Sequence, residues 1–165
     1  MGRHTKMATN RIIQRLNAGE DTSSNKRQVE TFLVENPAGS GAPLTIAKGS
    51  VLAFDFSVTA DSDKFLYLTA ADTGTATSKC AVGVAASSYT IAEGVTAKVE
   101  VVIAGSAEVL VATGTAAGDT LVAGASAGVA SKYLNTDVLP VFAQLVAANS
   151  SGSPALRLAN IYPQF

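Results

Sequence analysis

Short apolar segments separated by small, turn-forming residues run from Val29 to the end of the chain, and this pattern restricts the fold more than any other feature. In residues 97–104, three β-branched side chains alternate with Lys98 and Glu100, which is the period of two expected of a half-buried strand. No window after residue 30 has a convincing helical period, although the Ala-rich stretch 116–130 is ambiguous. Short strands at close spacing, with turn signals between them, predict a compact all-β sandwich or barrel.

The apolar runs predict these strands: Val29–Glu35, Val51–Val58, Lys64–Thr69, Cys80–Ala86, Ala97–Ala104, Ala107–Ala112, Thr120–Ala123, Gly128–Tyr133, Val138–Ala147 and Ala155–Tyr162. In the second, the even-numbered residues from Leu52 to Val58 are predicted to share one face, with Ala53, Asp55 and Ser57 on the other. Pro140 cannot donate a backbone hydrogen bond, so it predicts an edge or a bulge in its strand.

A local pattern recurs before some of these strands. The sequence Thr-Ile-Ala-x-Gly occupies 45–49 and 90–94, and a shorter version, Thr-Ala-Ala-Gly, occupies 115–118. Because glycine tolerates a positive φ, the pattern predicts a strand end that turns at the glycine and re-enters the sheet. The spacings between the three copies are unequal, so the chain reuses one turn without forming a solenoid repeat.

The apolar content is large but consists mainly of small side chains. The 165 residues are 47% hydrophobic, yet they include 29 Ala and 17 Val, against six Phe, four Tyr and no Trp. Burial stabilises by about 25 cal/mol per Å² and alanine buries little area, so the core is thin for the chain length. The length fits one domain, and we expect contacts between subunits of a symmetric oligomer to add stability.

Residues 1–28 are predicted to form an extended N-terminal arm, and residues 29–165 a β-rich domain. The first thirty residues carry six basic and three acidic side chains, a net charge of +3, whereas the remainder carries −4. Such an arm can contact an acidic partner surface. Asn10 can cap a short helix over 11–17, although so short a helix needs a docking surface to persist, and a disordered tail is the alternative.

Candidate partner-binding residues lie at both ends of the chain. Those in the arm are basic or apolar: Arg11, Ile12, Ile13, Arg15 and Leu16. The segment Pro154–Phe165 is apolar for a chain end, which favours a final strand closing the sheet. The alternative is an interface in which Tyr162 and Phe165 act as aromatic anchors.

Residues that usually carry catalysis or bind metals form no recognisable pattern. His4, the single histidine, lies in the arm, where little packing can position it as a general base. The densest acidic group, Asp55, Asp61 and Asp63, lacks the spacing of a calcium-binding EF-hand and is expected to be solvated. Cys80 is the single cysteine, so no intrachain disulfide is possible. We therefore expect no enzyme, no metal and no cofactor.

Nucleic-acid and membrane partners are not expected either. The basic residues form no dense stripe, and the aromatic residues are too few and scattered for a base-stacking platform. No segment approaches the roughly 18 apolar residues of a membrane span, and the N-terminus lacks the apolar region of a secretory signal. A protein made in the cytoplasm that binds other proteins is the expectation.

A series of motifs between residues 64 and 108 resembles a known family. In order, they are Lys-Phe-Leu at 64–66, Ala-Asp-Thr-Gly-Thr at 71–75, Ala-Val-Gly-Val-Ala-Ala at 81–86, the alternating segment 96–103 and Gly-Ser-Ala-Glu at 105–108. This order is similar to the lambda-type head decoration proteins, or capsid cement proteins, of tailed bacteriophages. Residues 115–130 resemble related small capsid-stabilising β-proteins, and together the similarity covers about half the chain.

The resemblance implies a β-tulip-like body that assembles as a homotrimer on the outer surface of the mature capsid. It also implies that the protein stabilises the shell by bridging capsomers, with the arm docking on the major capsid protein. Another virion component, such as a head fibre base, a head–tail protein or an adhesion module, is the alternative. A small β-barrel enzyme is the third possibility.

Overall fold

The computed structural model describes residues 27–57, 65–70, 81–134 and 140–163, and every regular element in these ranges is a β-strand. The strands are β1 (Gln28–Asn36), β2 (Leu44–Ile46), β3 (Val51–Phe54), β4 (Leu68–Ala70), β5 (Ala81–Ala85), β6 (Tyr89–Ile91), β7 (Val95–Val111), β8 (Thr120–Ala123), β9 (Ala130–Lys132), β10 (Ala143–Leu145) and β11 (Ala155–Ile161). The predicted all-β fold is confirmed.

Strands β1, β7, β5, β3 and β4 form a first barrel. Antiparallel ladders join each strand to the next in that order. The ring closes through a parallel bridge between Leu33 and Tyr67, where the Leu33 N–H donates to the carbonyl oxygen of Leu66 at 2.8 Å. One cluster of buried apolar side chains belongs to this barrel and its covering strands: Phe32, Val34, Ile46, Leu52, Leu68, Val82, Ala85, Ile91, Val99, Val101 and Ile103.

Strands β7, β11, β10, β8 and β9 close a second barrel. Its longest ladder pairs the whole of β11 with β7, from Ala155 opposite Val111 to Ile161 opposite Gly105. Phe142 is fully buried in its core. The same core also contains residues from the outside of the first barrel, so the two barrels pack on each other: Val51, Ala53, Ala81, Val84, Ala86 and Val102.

Strand β7 is shared by the two barrels and corrects one prediction. The sequence indicates two strands, Ala97–Ala104 and Ala107–Ala112, whereas the structure has one strand of 17 residues. The Gly-Ser pair at 105–106 suggests a turn, but the ladders keep it extended: β1 pairs with β7 up to Ala104, and β11 pairs from Gly105 onward. The backbone bends at Gly105, whose φ is 87°.

Strand β3 corrects a second prediction. The sequence indicates a half-buried strand over Val51–Val58, but the strand ends at Phe54, and Val51, Leu52 and Ala53 are all fully buried. Leu52 faces the core of the first barrel, while its two neighbours face the core of the second. Alternation therefore fails here because both faces of the strand are packed.

Smaller corrections concern strand limits. The strand predicted over Lys64–Thr69 begins only at Leu68, because the two residues before Tyr67 form a turn. Pro140 precedes β10 by three residues, so it marks neither an edge nor a bulge within that strand. The final strand, predicted to close the sheet, does so by pairing with both β7 and β10.

The recurrent Thr-Ile-Ala-x-Gly segments pair with each other. Strands β2 and β6 form a two-stranded ribbon in which Thr45 lies opposite Thr90. Each strand ends in the same turn: the Ser50 N–H donates to the Ala47 carbonyl oxygen at 3.1 Å, and the corresponding bond after β6 measures 3.2 Å. Gly49 and Gly94 have φ values of 77° and 71°, which the third position of a type II turn requires. The predicted turn is confirmed.

Candidate docking surface

Four of the six phenylalanines meet on the first barrel. The ring centroid of Phe54 lies 5.3 Å from that of Phe65, 6.4 Å from that of Phe56 and 6.4 Å from that of Phe32. The contacts with Phe32 and Phe65 are edge-on, a favourable arrangement for aromatic pairs. The aromatic residues are therefore not scattered as the sequence suggested.

The outer part of this group is open to solvent. Phe65 is 65% exposed, Leu66 50% and Phe56 39%, whereas Phe32 is 8% exposed and packs against Phe54 from the core side. We call Phe54, Phe56, Phe65 and Leu66 the Phe patch. A contiguous apolar surface of this kind typically marks a site of interaction.

Two short turns place these rings. After β3 ends at Phe54, the Asp55 Oδ1 atom accepts hydrogen bonds from the Ser57 N–H at 2.9 Å and from the Ser57 hydroxyl at 2.6 Å. This local bond bends the chain and projects Phe56 outward. On the other side, the Asp55 N–H donates to the Tyr67 carbonyl oxygen at 2.8 Å, which holds the turn before β4 beside the end of β3.

The Phe patch lies near the start of β1. Leu33 on β1 forms a parallel bridge with Tyr67, and its N–H donates to the carbonyl oxygen of Leu66, so Leu66 lies beside β1. The β2–β6 ribbon lies at the far end of β1, where Asn36 Nδ2 donates to the carbonyl oxygens of Ala42 and Ile91 at 2.9 and 3.0 Å. The ribbon therefore leaves the Phe patch uncovered.

The start of β1 and the end of β11 lie side by side at the middle of β7. Gln28, the first residue of β1, lies opposite Ala104, and Ile161, the last residue of β11, lies opposite Gly105. Paired strands are about 4.8 Å apart, so the two ends flank adjacent residues of one strand. This proximity was not evident from the sequence.

The structure places one of the predicted partner-binding residues. Tyr162 is half-buried directly after β11, and its N–H donates to the Phe142 carbonyl oxygen at 2.8 Å. The other predicted residues lie outside the described ranges: Arg11, Ile12, Ile13, Arg15, Leu16 and Phe165. The predicted partner-binding role of the set therefore stays a prediction.

Sequence analysis missed the Phe patch. The pattern predicts Phe54 and Phe56 on one face of a half-buried strand and Phe65 in another strand, and it gives no sign that the rings meet. The available signal was Asp55-Phe56-Ser57, in which an Asx-type turn ends the strand early. Only the β3–β4 pairing shows that Phe65 returns to the same point.

A second and smaller apolar surface lies on the second barrel. The Val146 N–H donates to the Leu158 carbonyl oxygen at 2.8 Å, and the two side chains are 55% and 44% exposed. No aromatic contact is found around this pair among the described residues. It offers less apolar area than the Phe patch.

The buried polar side chains serve the backbone. Asn149 is fully buried; its Nδ2 atom donates to the carbonyl oxygens of Val111 and Ala112 at 2.8 and 3.1 Å, and its Oδ1 accepts from the Ser151 hydroxyl at 2.6 Å. Among the described residues, every buried side-chain nitrogen or oxygen has a hydrogen-bond partner. These bonds tie a loop to β7 and present no reactive atom to solvent.

The described residues offer neither a metal-binding cluster nor a membrane-spanning helix. Within ranges 27–57, 65–70, 81–134 and 140–163, no three His, Cys, Asp or Glu side chains are grouped so that they could hold a metal ion. These ranges also contain no helix with the length and apolar character needed to cross a bilayer.

Comparison with known proteins gives a likeness in structure but not in sequence. No protein-family model and no curated protein matches the chain. The solved structure of the N base of head fibre gp8.5 from bacteriophage phi29 is similar, with a TM-score of 0.54 and 18% sequence identity. The match covers 82% of this chain and 95% of that chain, so the likeness extends over both barrels and shows a shared fold.

Proposed function

We propose that this chain is a structural protein of a bacteriophage virion that binds the outer surface of the mature head. The observation that carries the proposal is the shared fold: a base that belongs to a phage head fibre matches 82% of this chain. The motifs at 64–108 point independently to head decoration proteins. Both lines lead to the same class of virion protein.

The finer proposal is that the protein stabilises the shell by bridging capsomers. Its N-terminal arm would dock on the major capsid protein through Arg11, Ile12, Ile13, Arg15 and Leu16. An extended segment can add to an exposed sheet edge, where backbone hydrogen bonds supply affinity. A ligand that binds the mature lattice and not its precursor stabilises that lattice by mass action.

We propose that the protein forms a homotrimer, since the core is rich in small side chains and is expected to gain stability from contacts between subunits. The three arms of one trimer would bind the same shell at high effective concentration, so modest individual contacts would give tight attachment. In this proposal the protein acts by adhesion alone, without catalysis, a cofactor, nucleic acid or a membrane.

Binding to phage heads tests the proposal. Full-length chain is mixed with expanded heads that lack it and, as a control, with unexpanded precursor shells, and both are sedimented. We expect the chain to sediment with expanded heads and to raise the temperature at which they release DNA. A folded chain that binds neither particle would contradict the proposal.

Removal of the arm gives a sharper version of the test. Residue 28 begins β1, so a deletion of residues 1–26 leaves every described strand intact. We expect this variant to keep its β-sheet circular dichroism and to lose head binding.

Because peripheral charges chiefly steer encounter, R11A/R15A should lower the association rate with heads and leave the dissociation rate little changed. Added salt should remove the difference in association rate between this variant and the unaltered chain.

The base of a head fibre is the second candidate function, and the similarity to the phi29 fibre base favours it directly. A density map of particles loaded with the chain separates the two candidates. Density at three-fold and quasi-three-fold positions, with added thermal stability, supports the cement function. Density that extends into a projecting fibre, without added stability, supports the fibre base.

A further inference from the structure

We propose that the Phe patch is the docking site for residues 11–16 of the same chain, which fold back onto it in the free protein. The patch is a built apolar surface, since an edge-on ring pair is supported from below by buried Phe32. The occupant of this surface would be residues 11–16 of the chain that carries it.

The position of the chain end favours the same chain as the source. The described chain begins one residue before β1, and the hydrogen bond from the Leu33 N–H to the Leu66 carbonyl oxygen places Leu66 of the patch beside β1. Gln28 and Leu33 are five positions apart, a distance of about 17 Å along a strand. Leu16 and Gln28 are twelve positions apart, which can span up to about 40 Å, so residues 11–16 reach the patch easily.

The size of the patch favours a short segment over a folded partner. From their exposed fractions, Phe56, Phe65 and Leu66 present roughly 300 Å² of apolar surface. A stable interface between folded proteins covers about 800 Å² on each partner. Three aliphatic side chains on one turn, such as Ile12, Ile13 and Leu16, match the smaller area.

The charges near the patch complement those of the segment. Asp55 lies between Phe54 and Phe56 in the chain, and Glu30 lies on β1 three positions before Leu33. Arg11 and Arg15 lie four positions apart among the aliphatic residues of the arm, so they would share one face of a helical turn. A short helix over 11–17 needs such a surface to persist.

The contact has a consequence for head binding, and this step rests on the proposed function. The residues that dock on the Phe patch are those proposed to dock on the capsid protein, so the two sites compete for them. The patch would then shield the aliphatic side chains of the arm until a head surface displaces it.

Disulfide trapping in the free protein tests the proposal independently of head binding. In a Cys80→Ser background, Gln14→Cys is combined with Ser57→Cys, an exposed position beside Phe56. The matched control combines Gln14→Cys with Ala147→Cys, an exposed position beside Val146 on the second barrel. Ser57→Cys removes the hydroxyl bond to Asp55 but keeps the backbone N–H bond to the same carboxylate, and all the aliphatic and aromatic residues of the proposed contact are unchanged.

The Ser57 pair is expected to form an internal disulfide, seen as a faster monomer band on a non-reducing gel and unaffected by dilution. Tethering gives an effective concentration of about 1 mM, so at micromolar protein the internal bond is favoured about a thousandfold over a bond between copies. Adding Phe65→Ser should slow trapping about tenfold, since burying one aromatic ring is worth at least that factor. Leu158→Ser should leave trapping unchanged.

Three results would overturn the proposal. Dimers that vanish on dilution would show that the arm of another copy occupies the patch. Equal trapping at Ala147 would show that the arm samples both barrels without preference. A folded Ser57 variant that forms no internal bond would show that residues 11–16 do not visit the patch.

Discussion

The first and second barrels share β7 but close in different ways. The first closes through the single bridge between Leu33 and Tyr67 and leaves aromatic rings exposed beside it. The second also has a joint of one parallel pair, Val111 with Ala130, but its β11 is paired along its full length and its large ring, Phe142, is fully buried. If the proposed docking on the Phe patch is correct, the first barrel carries the contact surface and the second supports it.

Replacement of phenylalanine should separate the two barrels most strongly. Phe142→Ala removes a ring with no exposed surface and should lower the free energy of unfolding by about 4 kcal/mol. In a chain that lacks residues 1–26, and so cannot cover the patch, Phe65→Ala removes a ring that is 65% exposed and should change it by about 0.5 kcal/mol or less. Urea unfolding of both variants measures the difference. Comparable losses would mean that the Phe patch belongs to the folding core.

The contact between β5 and β7, which we call the seam, is expected to show the next largest loss of stability on substitution. A Cβ atom at Gly83 would lie 2.1 Å from the carbonyl oxygen of Val102 in β7, so Gly83→Ala must displace backbone and should cost about 3 kcal/mol. Gly152→Ala is the control, since nothing lies within 4 Å of its added Cβ. Thermal unfolding of the two variants should differ clearly, and equal melting temperatures would show that the seam adapts.

Loss of a buried amide should affect the second barrel to an intermediate degree. Asn149→Ala removes the side-chain bonds to Val111 and Ala112 and leaves buried carbonyl groups without them, at a cost of about 2 kcal/mol. Gln144→Ala removes one exposed bond of 3.3 Å to Gly118 and should cost about 0.5 kcal/mol or less. Chemical denaturation compares the two variants. Equal losses in the free energy of unfolding would mean that the Asn149 side chain stabilises the second barrel no more than an exposed side chain does.

The smallest effect is expected at the ion pair between Lys48 and Glu108, which joins the turn after β2 to the second-barrel half of β7. Both side chains are nearly half exposed, at 45% and 47%. A double-mutant cycle with alanine should give a coupling of about 0.5 kcal/mol that declines as salt is added. A coupling that salt does not weaken would show that the pair is more shielded than its exposure indicates.

Local patterns predicted which segments become strands, and partners in space determined their limits. Alternation around Lys98 and Glu100 predicted the first half of β7 correctly, because one of its faces meets solvent there, but it did not predict that the strand continues to Val111. The same rule failed for β3, whose two faces meet two different cores. An alternating pattern predicts a strand with one buried face, but it cannot predict a strand whose two faces pack in two different cores.

The docking surface was less predictable than the fold. Its rings come from segments eleven residues apart, and only the pairing of β3 with β4 unites them. The Gly-Ser step at 105–106 likewise gave no sign that the start of β1 and the end of β11 lie beside it. Long-range strand pairing thus determines where the exposed rings meet, and a single sequence carries little trace of it.

Hydrogen exchange of the free chain and of the chain bound to expanded heads tests the division of roles most directly. The account predicts that attachment changes exchange in residues 1–26 and around Phe54, Phe56 and Phe65, while strands β8 to β11 exchange as before. Changes concentrated in β8 to β11, with the Phe patch unaffected, would contradict it.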